Sequence, residues 1–399
     1  MVILAKFPLD NGHYISVDRV LYLIEKIQDL KLQRCFYMKT DYPVKLSSAR
    51  AWRTYVGGSQ IDKIHGIPER GDSQFPEEWI ISTVIARNSG REAFSNEGLN
   101  FVDGTNISLK SLIESYPCKL LGNEHYRKYG AVPGVLIKII DAGERLTIQA
   151  HPTKQKAMEL FGSPFGKTEC WHILGGRDVH GEKPCIFMGF KEGISREKWQ
   201  DIFRRQDIPS MLDCLHRFDV HPGETYLIHG GVPHAIGAGC LLIEIQEPTD
   251  YTIRTERVTP AGLNIDEFML HQGLGFEKMF DVFDYTGIEE KIAKERWCIP
   301  PVVLQSGSGY HLSQVVGYDN TSCFRLLRCD ITETFSYSPD EHFCGLYFLK
   351  GKGEVISKNA HFKFRGGDQF FVPAYAAPFN IIAEPENPAT VFFCYGPEI

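Results

Sequence analysis

Gln149 and His151 stand two apart in LTIQAHPTK, the run from Leu146 to Lys154. Alternate residues of a β-strand point to the same face, so an amide and an imidazole leave this strand side by side. A borderline cation such as Zn²⁺ accepts an imidazole nitrogen together with carbonyl or carboxylate oxygens, at about 2.0–2.2 Å. Such an ion needs a third and a fourth ligand. The candidates are Glu169 in GKTECWHIL and His234 in GGVPHAIG. His172, His221 and His229 lie close by in sequence and read as neighbours or supporting partners of these groups.

Further on, EIQEPTDYTIRTER carries Glu244 and Arg254. Alternation puts Glu244 and Gln246 on one face of a strand. A buried carboxylate beside a cation is suited to moving a proton, and a guanidinium is suited to holding an anion or a phosphate with two hydrogen bonds. The plainer reading of the Glu244/Arg254 pair is an ion pair at a strand end. Lys154 and Lys167, taken alone, read as solvated surface lysines.

These residues need rigid strands behind them. Short β-branched and aromatic runs bounded by Gly and Pro dominate the chain: WIISTVI from Trp79, GVLIKII from Gly134, RLTIQA from Arg145, CIFMGF from Cys185, ETYLI from Glu224 and CLLIEIQ from Cys240. They predict an antiparallel barrel or sandwich. Helical spacing appears at Ser16–Leu30, behind a serine N-cap, and in two inserts, Ser195–Phe203 and Pro209–His216. A longer stretch, Asn264–Phe283, has Asn264 and Glu267 placed for a capping box. After a linker around Pro300–Gly309, strands resume as FRLLRCDI, GLYFLKG, HFKFRG, QFFVPA and ATVFFCYG. The chain therefore reads as two β-domains joined by helices. An internal repeat about 150 residues apart is suggested by HPGETYLIHGGVPHAIG in the first domain and the run ending GGDQFFVPAYAAPFNI in its partner. The first copy carries His234, and the other has no histidine there.

The composition fits a globular chain of 399 residues with sizeable cores. A net charge of -7 without a long Lys/Arg cluster argues against nucleic acid or an anionic membrane as partner and leaves a small molecule. Eleven cysteines without a CxxC pair predict free thiols and a cytoplasmic location. Neither a signal peptide nor a membrane-spanning run is expected.

Taken together, QAHPTK at 149–154, GKTE at 166–169, PHAIG at 233–237 and the run from Ile243 to Arg254 resemble the type I mannose-6-phosphate isomerases, a zinc-dependent cupin family. The resemblance extends from RTYVGG at Arg53 to the C-terminal FFCYG. It implies a mainly β fold of two cupin-type (jelly-roll) β-barrel domains with helical insertions. The corresponding boundaries are an N-terminal extension at 1–45, a catalytic domain at 46–275 with an insert at about 190–217, a helical linker at 276–304 and a degenerate second cupin at 305–399. It further implies one Zn²⁺ per chain on Gln149, His151, Glu169 and His234, with Lys167, Glu244 and Arg254 catalytic. The implied reaction interconverts mannose 6-phosphate and fructose 6-phosphate through an enediol or enediolate. Glu244 or a water at the metal would move the proton, while Arg254 and Lys167 would stabilise negative charge. The chain departs from the family pattern in its N-terminal 45 residues, in its short helical insert and in Ile236, where many members have tyrosine. Other readings are an isomerase of a different sugar phosphate, a non-catalytic sugar-phosphate-binding cupin, and a non-haem iron oxygenase, which Gln149 as a neutral ligand disfavours.

Overall fold

The computed structural model describes residues 41–399 apart from residue 69, together with the backbone of Lys6–Pro8 and Tyr14–Ser16. Met1–Thr40 and Asp41–Ile399 are separate compact units. In the first, Lys6–Pro8 pairs antiparallel with Tyr14–Ser16, so Ser16 ends a strand; the helix expected from Ser16 to Leu30 otherwise lies outside the described residues.

The second unit is mainly β, in four antiparallel sheets. A six-stranded sheet runs in the spatial order Thr225–Ile228, Glu169–Gly176, Cys240–Gln246, Leu136–Asp141, Glu77–Ile80 and Ala49–Ala51. A five-stranded sheet runs Leu215–Asp219, Cys185–Phe190, His234–Ile236, Gln149–Ala150 and Ile253–Arg254. Trp171, Ile173, Ile140 and Leu242 of the first join Ile186, Met188 and Ile236 of the second in one buried cluster.

The C-terminal half repeats this plan. Gln369–Val372, Cys344–Lys350, Ala389–Tyr395, Arg325–Ile331, Tyr310–Val316 and Val302–Gly307 follow one another in the order of their counterparts, with Val44–Leu46 added at the edge. This sheet opens at Val302, so the stretch around Pro300–Gly309 expected as a linker holds the strand Val302–Gly307. A four-stranded sheet made of Thr334–Tyr337, Phe379–Ala383, Lys352–Ser357 and His361–Arg365 completes the half. The repeat read from sequence is thus one of strand order as well as of residues.

Helices cover the back of the five-stranded sheet. Ser195 caps Arg196–Arg205 by accepting from the Lys198 N–H, and Trp199, Ile202 and Phe203 are buried at helical spacing. They pack on Ile148, Ala150, Ala235 and Ile253, the outward residues between the inward Gln149 and His234. Strands covered on both faces lose the apolar–polar alternation, and a lone polar residue in them then marks the lumen.

Three expectations are corrected. The second insert helix is Ile208–Asp213, and Leu215 and His216 instead open a strand paired with Cys185–Phe190. Asn264–Phe283 is no single helix: it breaks into Glu267–His271, Gly275–Lys278 and the 3-10 turn Met279–Val282, because Gln272, Gly273 and Gly275 take positive φ. The cap there is Asp266, accepting from Phe268 N–H, and Asn264 pairs in a β-bridge with Val258. Finally, the ladder in RLTIQA is only Gln149–Ala150, since Glu256 takes the Ile148 N–H and both Arg145 terminal nitrogens.

Candidate metal site and polar cleft

Strand register builds the site. Gln149 lies opposite both His234 and Arg254 on its two neighbouring strands, so the three form a row across one face of the five-stranded sheet. The six-stranded sheet supplies a second row, in which Trp79, Lys138, Glu244 and Trp171 are successive register partners. Glu169 is two residues before Trp171 and shares its face. His151 follows the end of its strand, ahead of Pro152.

The loop that delivers Lys167 and Glu169 is clamped onto that corner. Lys167 N–H donates to the Pro152 carbonyl at 3.0 Å, and Glu247 accepts the N–H groups of Gly166 and Thr168 at 3.2 and 3.0 Å. A Cβ at Gly166 would stand 2.7 Å from both Pro152 O and Lys154 N, so only glycine permits this approach.

His151, Glu169 and His234 meet in the buried interior. His151 Nε2 is 3.2 Å from one Glu169 oxygen and His234 Nε2 is 3.2 Å from the other; the ligand atoms of the three all lie within 4.8 Å. His151 Nδ1 lies 2.9 Å from the Tyr251 carbonyl and His234 Nδ1 lies 2.9 Å from the Val232 carbonyl. A carbonyl can only accept, so each Nδ1 carries the proton and each Nε2 turns a lone pair inward, the arrangement of metal-bound histidine. Burial, reinforced by Lys167 and His234, holds the His151 imidazole well below its usual pKa. Burial also lowers His234, against the opposing pull of Glu169. Neither Glu169 oxygen has a hydrogen-bond donor. Two neutral nitrogens and a buried carboxylate form a donor set that fits a divalent cation. Lys167 Nζ supplies positive charge at the same point, 3.0 Å from His151 Nε2 and 3.6 Å from Glu169. The half-buried Gln149 amide reaches within 3.4 Å of His234 Nε2.

One Glu244 oxygen is in ion-pair contact with Lys138 at 2.9 Å and the other accepts the Trp171 indole N–H at 2.9 Å. Beyond it the charges continue. Glu77 accepts from the Tyr55 hydroxyl at 2.7 Å and the Trp79 indole at 2.8 Å, and lies 3.2 Å from Arg53 Nε. Arg53 reaches both oxygens of Asp250 at 3.3 Å. Burial alone would raise Asp250, but Arg53, Lys138, Lys167 and Arg254 hold its carboxyl well below the usual range. Arg254 donates to the carbonyls of Met269 at 2.8 Å and Thr252 at 3.4 Å. Burial, then the repulsion of Arg53, lowers it to about 10, so it remains charged at neutral pH. Gln149, Lys167, Glu244, Arg254, Arg53 and Tyr55 line one narrow cleft with about 30 Å³ of free space. Arg254 also lines an outer cavity of about 490 Å³.

All seven expected site residues therefore border one region. Lys154 does not: it is half exposed, 3.6 Å from Glu247. His172 points to the opposite face, against Phe392, while His221 and His229 are exposed. Ile236 packs into the apolar cluster. Sequence reasoning missed Arg53, Glu77, Lys138, Glu247 and Asp250. A lysine within the apolar GVLIKII and a glutamate pair ahead of Trp79 were the available signals.

Among the described residues no helix is long and apolar enough to cross a membrane, and the ten described cysteines are free. No family model matches the chain. The mannose-6-phosphate isomerase ManA of Bacillus subtilis is 22% identical over 287 residues, 70% of this chain and 82% of that protein. The mannose-6-phosphate isomerase of Streptococcus mutans is 28% identical over 160 residues, 38% of this chain and 46% of that one. Among solved structures, the mannose 6-phosphate isomerase from Bacillus subtilis superposes with TM-score 0.65 at 22% identity, covering 89% of this chain and 99% of that one. The apo form from Salmonella typhimurium gives 0.65 at 15% identity, covering 91% and 100%. Motifs, fold and sequence relatives agree, and what this chain resembles is the type I mannose-6-phosphate isomerases.

Proposed function

We propose that the chain is a metal-dependent aldose–ketose isomerase interconverting mannose 6-phosphate and fructose 6-phosphate through an enediol or enediolate. One observation carries the reading: two neutral histidines and a carboxylate converge in the buried interior beside a cleft, and the charges around the two balance before any ion or substrate enters. Arg53, Lys138, Lys167 and Arg254 offset Glu77, Glu169, Glu244 and Asp250, and Arg145, which also lines the cleft, is paired with Glu256. A divalent cation then leaves a surplus of two positive charges, which suits a phosphate monoester of charge about -2. Sequence relatives bearing the isomerase name support the substrate.

His151, Glu169 and His234, with Gln149 as neutral fourth ligand, would hold one Zn²⁺. When bound, zinc supplies a Lewis acid for the oxygens on C1 and C2 of the sugar. The remaining work belongs to the chain. Lys167, lowered by burial and beside Glu169, would stabilise negative charge growing on the substrate oxygens. Glu244 would move the proton between the two carbons: it lines the cleft, and Asp250 does not. Arg254, with no carboxylate in ion-pair contact among the described residues and bordering both cleft and outer cavity, would hold the anionic end of the substrate.

Each pair of packed sheets is read as a cupin-type jelly roll, the first catalytic (46–275) and the second degenerate (305–399), joined by the helical stretch at 276–304. The site of action is taken as the cytoplasm. The test is formation of fructose 6-phosphate from mannose 6-phosphate by the metal-loaded protein, before and after chelation. Turnover that vanishes with the metal is expected, and absence of turnover in both states would sink the reading. In Arg254→Ala, kcat/KM should fall about 10²–10³-fold at unchanged metal content.

A further inference from the structure

On the far side of the strand Glu77–Ile80 from the cleft lies a cavity of about 630 Å³ between the two halves. His65, Lys350, Lys352, Arg365 and Asn387 are among the residues that line it, and among the described residues no Asp or Glu does. In a chain of net charge -7 this is a local excess of cations.

Its construction is specific. Lys352 and Arg365 are direct register partners on the antiparallel strands Lys352–Ser357 and His361–Arg365, so two like charges face each other on one surface of the sheet. Such a pairing is destabilising unless an anion lies between the charges. Among the described residues neither side chain, nor that of Lys350, has a carboxylate in ion-pair contact. Asp368, next in the hairpin, is taken by Lys45 Nζ at 2.9 Å and by the Arg365 backbone N–H at 3.0 Å.

The opposite wall is His65, at the end of the helix Ser59–Ile64, whose Nε2 is 2.8 Å from Glu78. Glu78 also accepts from the Tyr347 hydroxyl at 3.1 Å, which fixes the ring. A Cβ at Gly367 would come within 2.3 Å of the His65 ring, so the hairpin turn and the helix end meet as closely as glycine allows.

We propose that this pocket is a second anion site, separate from the cleft, that takes a small phosphate-bearing ligand between Lys352 and Arg365. Its volume has room for a phosphorylated small molecule, and the acidic chain as a whole repels a polynucleotide. The proposal does not depend on the isomerase reading. The ligand is either free phosphate or a phosphorylated small molecule, and two probes separate these sources.

The test is calorimetric titration of the full-length, metal-loaded protein with inorganic phosphate and, separately, with fructose 1,6-bisphosphate. Three forms are compared: the unchanged protein, Lys352→Ser/Arg365→Ser, and Arg254→Ala. At least one probe should bind the unchanged protein, keep its affinity within twofold in Arg254→Ala and bind at least tenfold more weakly to the double variant, whose circular dichroism spectrum and metal content match those of the unchanged protein. The probe that binds more tightly names the source. No binding to the unchanged protein, equal binding to the double variant, or loss confined to Arg254→Ala, which would mean that the probe reads the cleft, overturns the proposal.

Discussion

The two halves share strand order but fill their interiors in opposite ways. Equivalent ladder steps follow from register: Ile228 faces Glu169 in the first half, and Val372 faces Cys344 in the second. By the same steps Trp171 corresponds to Leu346, Glu244 to Phe393 and Lys138 to Leu327. His234, after Pro233 and beside Gln149, corresponds to Phe379, after Pro378 and beside Tyr337. In place of a metal triad the second half has Tyr337 stacked near Phe379 and Phe393, with its hydroxyl 3.1 Å from that of Tyr395. Burying an ion costs several kcal/mol even after relaxation, so a scaffold keeps a cluster of buried charges only where partners and chemistry require them. Without that demand the same lumen closes with aromatic rings, each contributing favourable apolar burial.

The comparison can be broken most decisively by moving the second half's residue into the first. His234→Phe should reduce bound metal from about one ion per chain to near zero and lower kcat/KM at least about 10³-fold. The fold should survive, because the matching position accepts phenylalanine. Metal analysis, activity and circular dichroism check this; metal retained at full occupancy would remove His234 from the ligand set.

The reciprocal expectation is that the aromatic plug matters only for stability. Phe379→Ala should lower the unfolding free energy by about 3–5 kcal/mol while metal content and turnover per folded molecule stay unchanged. Urea unfolding beside an activity assay measures both, and a matching loss of specific activity would show the halves to be coupled.

A smaller effect concerns their contact. His172 points out of the first half onto Phe392 of the second, and burial, helped by Arg328, lowers it from 6.5 to about 4. The folded state therefore binds fewer protons than the unfolded one between these values. Its stability is fully present above about pH 6.5 and is lost as pH falls toward 4, by about 3 kcal/mol. Between pH 7 and pH 4 the unchanged protein should lose about that much more stability than His172→Gln, read from urea unfolding at each pH. Parallel losses would show that His172 titrates normally in the folded state.

Much of the site was legible in the order of residues alone. Period two made Gln149 and His151 co-facial, and the Val–Pro corner marked His234; in the second half the counterpart Phe379 follows Ala377–Pro378, six residues past the Val372–Pro373 corner read from sequence. What stayed hidden lies on strands far away in sequence: Lys138 reaches Glu244 and Arg53 reaches Asp250 across about 100 and 200 residues, through pairings that no local pattern specifies. The long helix expected at Asn264–Phe283 failed for the complementary reason, since apolar spacing was read through residues whose positive φ breaks the helix.

By itself, the sequence determined which residue types face inward on each strand and where glycine and proline end a run, because these depend on backbone geometry over a few residues. Only the tertiary structure decided that one half balances buried cations against carboxylates between its sheets while the other half is packed with rings. Charge pairing and packing depend on which strands become neighbours, and that is set by long-range register and burial.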